Sequence, residues 1–172
     1  MRKTILALSL AAAVVGLTIA AENKSDKSAD KGAAGSTHGQ HKFFSPSDLT
    51  WVDAPPSLPP GAKMAVLDGD PNKAGSFTVR LQTPAGYKIP PHTHPAAERI
   101  TVISGSINLG MGDKFDEAAG KEMGVGSFVV LPAAGMSHYA WSNGEAIVQI
   151  HSEGPFKIKY VNAADDPRSK KQ

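Results

Sequence analysis

From Leu49 to Val161 the apolar residues of this chain fall in short runs, several of them alternating with polar ones: LTWV, AKMAVL, FTVRLQ, RITVIS, SINLGM, SFVVLP, HYAWS, AIVQIH and FKIKYV. Alternation puts successive side chains on opposite faces of a strand, and β-branched and aromatic residues pack well on a pleated surface. Between the runs lie PPSLPPG, DGDPNKAG, TPAGY, a Ser-Gly-Ser turn, AAGM and SNGE, whose Pro, Gly, Asn and Asp are turn formers. Nine short strands at this spacing predict an all-β fold, a sandwich or a barrel. The segment DKFDEAAGKEMG at 113–124 leans toward helix but is polar and broken by glycine, and it reads as a long hairpin connection.

The chain before this pattern differs in kind. Residues 1–21 combine the basic MRK with the apolar, small-residue stretch TILALSLAAAVVGLTIA and end on a small-x-small site at Thr18-Ile19-Ala20, the pattern of a cleaved secretory signal. Its rival is an uncleaved anchor, for which the apolar run is short. The expectation is a periplasmic or secreted protein with no stable membrane anchor after cleavage. Residues 22–42 are small, polar and charged without periodicity, so they cannot offset the entropy of ordering and read as a flexible tether. His38 and His41 in that tether read as solvated. Residues 43–172 are expected to form a single domain of ordinary size.

Charge and composition narrow the function. Of 18 Lys and Arg the signal holds Arg2 and Lys3, which leaves a mature chain balanced against its 16 acids. With no dense basic cluster, nucleic acid is not an expected partner. The absence of cysteine removes disulfides and thiolate ligands alike, so a metal site here would be built from His, carboxylate and water.

HTHPAAE at 92–98 supplies such a set. His92 and His94 share one face of a strand, since side chains two apart point the same way, and Tyr87-Lys88-Ile89-Pro90-Pro91 leads in as extended chain. Pro95 ends or bends that strand, which returns Glu98 at the start of the next. His138, in GMSHYAWS, joins them if the sheet closes on itself. Three imidazoles and a carboxylate suit Fe, Mn, Ni, Cu or Zn. On an octahedral ion these four leave two positions for water, dioxygen or a substrate; on a tetrahedral zinc they leave none.

These residues carry a specific resemblance. Gly86, His92, His94, Glu98 and Gly105 have the spacing of the first cupin motif, and Gly126, Pro132, Gly135, His138 and Asn143 resemble the second in looser form, with one additional residue in Pro132-Ala133-Ala134-Gly135 and Asn143 one place late. The resemblance spans roughly 54–161. It implies a double-stranded β-helix, or jelly roll, with a metal in the barrel held by His92, His94, Glu98 and His138, and often a dimer. Fe, Mn or Cu is favoured, with Zn or Ni as alternatives. SLPPGAKMAVLDGDP followed by RLQTPAGYKIPPHTHP is similar to small exported bacterial cupins related to the cupin half of ChrR-type anti-sigma factors. An anti-sigma role is not expected, for want of a separate zinc-binding helical segment and because the chain reads as exported.

Other polar residues have plainer readings. His151 ends the strand AIVQIH and reads as a partly exposed strand end, with a place behind the ligands as the alternative. Arg80 and Gln82 alternate with Val79 and Leu81 and read as solvent-facing; were that face the lumen, Arg80 would anchor a carboxylate. Tyr139 and Trp141 point opposite to His138 and are assigned to packing or a subunit interface. Gly86, Gly105, Gly126 and Gly135 read as turn positions.

Two functions remain open, with no catalytic residue assigned. One is a metal-dependent, oxygenase-like enzyme acting on a small molecule; the other is a binding protein that senses or carries a small ligand or the metal. An isomerase or sugar-binding protein would need more charged and aromatic groups in the lumen. An enzyme predicts open positions facing a reachable pocket with polar groups, whereas a carrier predicts a closed shell or an apolar plug.

Overall fold

The strands of the computed structural model are β1 (Val52–Asp53), β2 (Lys63–Asp68), β3 (Gly75–Thr83), β4 (Lys88–Thr93), β5 (Glu98–Ser104), β6 (Ser106–Met111), β7 (Lys121–Gly124), β8 (Phe128–Leu131), β9 (His138–Trp141), β10 (Ala146–Gly154) and β11 (Lys159–Tyr160). The structure describes residues 41–133 and 135–169. The signal at 1–21, His38 and nearly all of the tether at 22–42 lie outside the described residues, as does Ala134 in the second motif. One sheet runs β1-β2-β3-β10-β5-β8 and the other β11-β4-β9-β6-β7, every pairing antiparallel. The fold is the all-β jelly roll.

Alternation along the strands builds the interior. In β3, Phe77, Val79, Leu81 and Thr83 are buried while Thr78, Arg80 and Gln82 lie on the other face. With Ile100 and Val102 of β5, Ile107 and Leu109 of β6, and Ala146 and Val148 of β10, Leu81 brings the two sheets together over one apolar core. Each Val, Leu or Ile side chain among them stabilises the fold by about 1.5–3 kcal/mol on leaving water, before entropy is counted. At the β5–β6 turn Gly105 has φ +68°, and a Cβ there would collide with the carbonyl oxygen of Glu145. The motif glycine is thus required by both backbone angle and space.

Two strands differ from the sequence pattern. β4 contains Pro90 and Pro91, which cannot donate to a ladder; it is tolerated because its pairing with β9 breaks register between Ile89 and His92. The 113–124 connection is a short 3-10 turn at Glu117–Ala119 followed by β7, which pairs with β6. β7 escapes the pattern because KEMG offers only Met123 to the core.

Tyr139 and Trp141 do point away from His138, but they form no free surface. Phe115 packs against both, at ring-centroid separations of 5.0 and 5.4 Å, and the Tyr139 hydroxyl donates to the Asp116 carbonyl at 2.9 Å. The 113–120 connection therefore covers this face within the chain, which accounts for it as packing.

Candidate metal centre

The β4–β9 ladder sets His92 directly across from His138, and their rings lie 4.3 Å apart. His94, just past the end of β4, has its ring 4.9 Å from that of His92 and 5.3 Å from that of His138. One ring nitrogen from each of the three falls within 4.8 Å of the others. Glu98, the first residue of β5, turns its Oε2 to 3.7 Å from His94 Nε2 and 3.5 Å from His138 Nε2. Ligand bonds of about 2.1 Å place donors of an octahedral ion about 3 Å apart in cis and about 4.2 Å apart in trans. The two carboxylate separations match neither value, so the three imidazoles form the group that one metal ion could bridge, and Glu98 stands beside two of them.

The imidazoles are oriented from behind. His92 Nδ1 donates to the Pro90 carbonyl at 2.7 Å and His94 Nδ1 to the Lys157 carbonyl at 2.9 Å, while His138 Nδ1 lies 3.5 Å from the Met136 carbonyl. A carbonyl oxygen only accepts, so the proton sits on Nδ1 and Nε2 presents its lone pair to the common point. Burial, reinforced by the neighbouring His138 and His94, pushes His92 down to about 2. His94 is also lowered by burial, partly opposed by Glu98 and the Lys157 carbonyl. Neutral imidazoles are the form that binds metal.

Charge balance points the same way. Glu98 is buried, and the basic groups beside it are the imidazoles of His94 and His138. A buried carboxylate costs several kcal/mol unless a cation compensates it. Three nitrogen donors and one carboxylate fit a divalent transition ion, which would supply that charge.

Two chambers meet at the site. A pocket of about 190 Å³ reaches His92, His94 and Glu98 and is walled by Leu58, Val79, Phe156 and Ile158 among others. A deeper cavity of about 60 Å³ touches His92, Glu98 and His138 and is lined mainly by aliphatic side chains of the core. The other candidate residues stay outside. Arg80 turns away from the interior and its Nε donates to Gln149 at 3.2 Å; His151 is exposed, with Nδ1 3.1 Å from the Thr78 hydroxyl. Phe156 was not legible as a site residue: its ring stacks on His94 at 4.2 Å and 14°. That contact and the Lys157 carbonyl come from a segment that carries only an alternating strand pattern, far from the motif in sequence.

Residues 39–157 match the ChrR Cupin-like domain. The chain is also 30% identical to germin-like protein 9-3 of Oryza sativa subsp. japonica over 84 residues, 48% of this chain and 38% of that protein. Among solved structures it is similar to the polyketide cyclase RemF of Streptomyces resistomycificus, with a TM-score of 0.59 and 20% identity over 74% of this chain and 90% of that one. A putative acetylacetone dioxygenase of Methylibium petroleiphilum PM1 gives a TM-score of 0.57 and 16% identity over 76% and 88% of the two chains. The structural likenesses speak to the fold alone, and the chain spans well under half of the germin-like protein it matches.

Proposed function

Because this chain belongs to the family of ChrR cupin-like domains, we propose that His92, His94, Glu98 and His138 hold one divalent transition metal and that the site runs a metal-centred, oxygenase-like reaction on a small molecule. Iron, manganese or copper is preferred to zinc or nickel. The observation that supports this reading is the convergence of three imidazoles, with Glu98 beside His94 and His138, where His92, His94 and Glu98 also line a pocket large enough for a ligand. When bound, such an ion supplies Lewis-acid polarisation and, for iron, manganese or copper, one-electron chemistry.

The chain's own residues hold and shield. The Pro90 and Lys157 carbonyls fix the imidazoles, Glu98 lowers the net charge of the centre, and the aliphatic walls exclude water. The hydroxyls in the inner cavity are already committed: Thr83 and Ser142 bond each other at 3.1 Å, and Tyr87 donates to the Pro59 carbonyl at 2.6 Å. Among the described residues the chambers therefore offer no independent acid–base pair, which favours chemistry at the metal over side-chain catalysis. The same apolar lining favours a second reading, a binding protein without turnover. Oxygen uptake by metal-loaded protein with a panel of small ketones and phenols separates the two: consumption that is lost in His92→Ala/His94→Ala supports the enzyme, and ligand binding without consumption supports the binder.

We also propose export, supported by the pattern of residues 1–21, and a homodimer, supported by the exposed Phe128 and Val130 on edge strand β8. Light scattering on the purified protein tests the latter.

A further inference from the structure

We infer that the pocket before His92, His94 and Glu98 takes a ring-sized, largely apolar molecule that offers the metal one oxygen donor and carries at most one negative charge. The inference rests on the metal-centre reading above and names its ligand class.

Size is the first argument. The pocket's volume of about 190 Å³ is close to that of an apolar protein cavity of roughly 150 Å³ that holds benzene. Its wall carries two aromatic rings, Phe156, which is stacked on His94, and Phe77, which meets Phe156 edge-on at 5.3 Å, and such a wall suits an apolar ring.

Charge is the second. A divalent ion and the Glu98 carboxylate sum to one positive charge, which one anionic oxygen neutralises. A dianion would leave an excess negative charge, and among the described residues no lysine or arginine lines either chamber. Uncompensated charge in such surroundings is strongly disfavoured.

Hydrogen bonding is the third. A polyol would need partners for each hydroxyl, yet Thr83, Ser142 and Tyr87 are bonded within the protein. The remaining polar side chains at the outer pocket are half-buried Ser57 and exposed Asn72. A guest hydroxyl placed deeper would lose its water without replacement.

The test uses the whole protein loaded with Co(II), its metal content measured by elemental analysis, and titrated with phenol, oxalate and glucose while the Co(II) visible bands and the heat are followed. Phenol is expected to shift the bands and to bind about 100-fold or more tighter than oxalate, and glucose to give no signal. Leu58→Lys, at a half-buried position of the pocket wall, is expected to raise oxalate affinity about tenfold with metal content unchanged. Oxalate or glucose binding as well as phenol to the metal-loaded wild type overturns the inference and leaves the metal centre standing. Failure of phenol to perturb Co(II) also overturns it. A protein that takes up no cobalt overturns the parent reading and the inference with it.

Discussion

Replacing Glu98 by Gln keeps the shape of the side chain and removes its charge, so it should stabilise the metal-free protein while shrinking the stabilisation that metal adds. Glu98 is 5% exposed and its Oε2 lies 3.5 Å from His138 Nε2 and 3.7 Å from His94 Nε2. Without metal, the substitution relieves a buried carboxylate whose neighbour His94 is held below the ordinary histidine value by burial; the expected gain is about 1–3 kcal/mol. With metal at about 1,000 times its dissociation constant, a bound ion adds about 4 kcal/mol to wild-type stability. Loss of the anionic donor weakens binding about 100-fold or more, which lowers that increment to about 1.4 kcal/mol. At about 4 °C per kcal/mol for a domain of this size, Tm in chelator should rise by about 4–12 °C while the metal-induced rise shrinks from about 16 to about 6 °C. Thermal unfolding followed by circular dichroism, in chelator and in excess Mn(II), measures both. A variant that keeps the full metal increment refutes the placement of Glu98 as a ligand. One that melts lower in chelator refutes the argument from uncompensated charge.

Other consequences are equally direct. Gly105→Ala forces a side chain into φ +68° and against the Glu145 carbonyl; a loss of about 2–4 kcal/mol is expected in urea unfolding, and a neutral result would contradict the turn. Phe156→Ala removes the stack on His94 and the edge contact with Phe77, with an expected loss of about 2–3 kcal/mol and metal affinity changed less than about tenfold; calorimetric titration with Mn(II) and urea melts decide it. For the metal-free protein, burial keeps His92 neutral down to about 2, so below its ordinary value the unfolded chain takes up a proton that the folded chain refuses. Stability is then full above about pH 6.5 and falls as pH drops, by up to about 1.4 kcal/mol per pH unit for His92 alone. A urea midpoint in chelator that stays level or rises on acidification would contradict this sign.

What could be read from the sequence was whatever the chain encodes locally. Alternation in FTVRLQ and AIVQIH specified which faces of β3 and β10 are buried, and the septet from His92 to Glu98 brought three candidate side chains to one corner through a single turn. His138 was legible because the second motif supplies it on a strand that the jelly roll pairs with β4. What escaped depended on distant contacts. β7 has one core residue and takes its strand form from pairing with β6. Phe156 and the Lys157 carbonyl reach His94 across 62 and 63 positions of chain, and no periodicity announces such a meeting. Proline usually argues against a strand, yet β4 holds Pro90 and Pro91 where its register breaks.

The central claim is most directly tested by elemental analysis of the protein purified without chelator or affinity nickel, beside the His92→Ala/His94→Ala variant. The account predicts close to one iron, manganese or copper per chain in the wild type and almost none in the variant, with both proteins folded by circular dichroism. No bound metal in the folded wild type, or the same content in the variant, would contradict it.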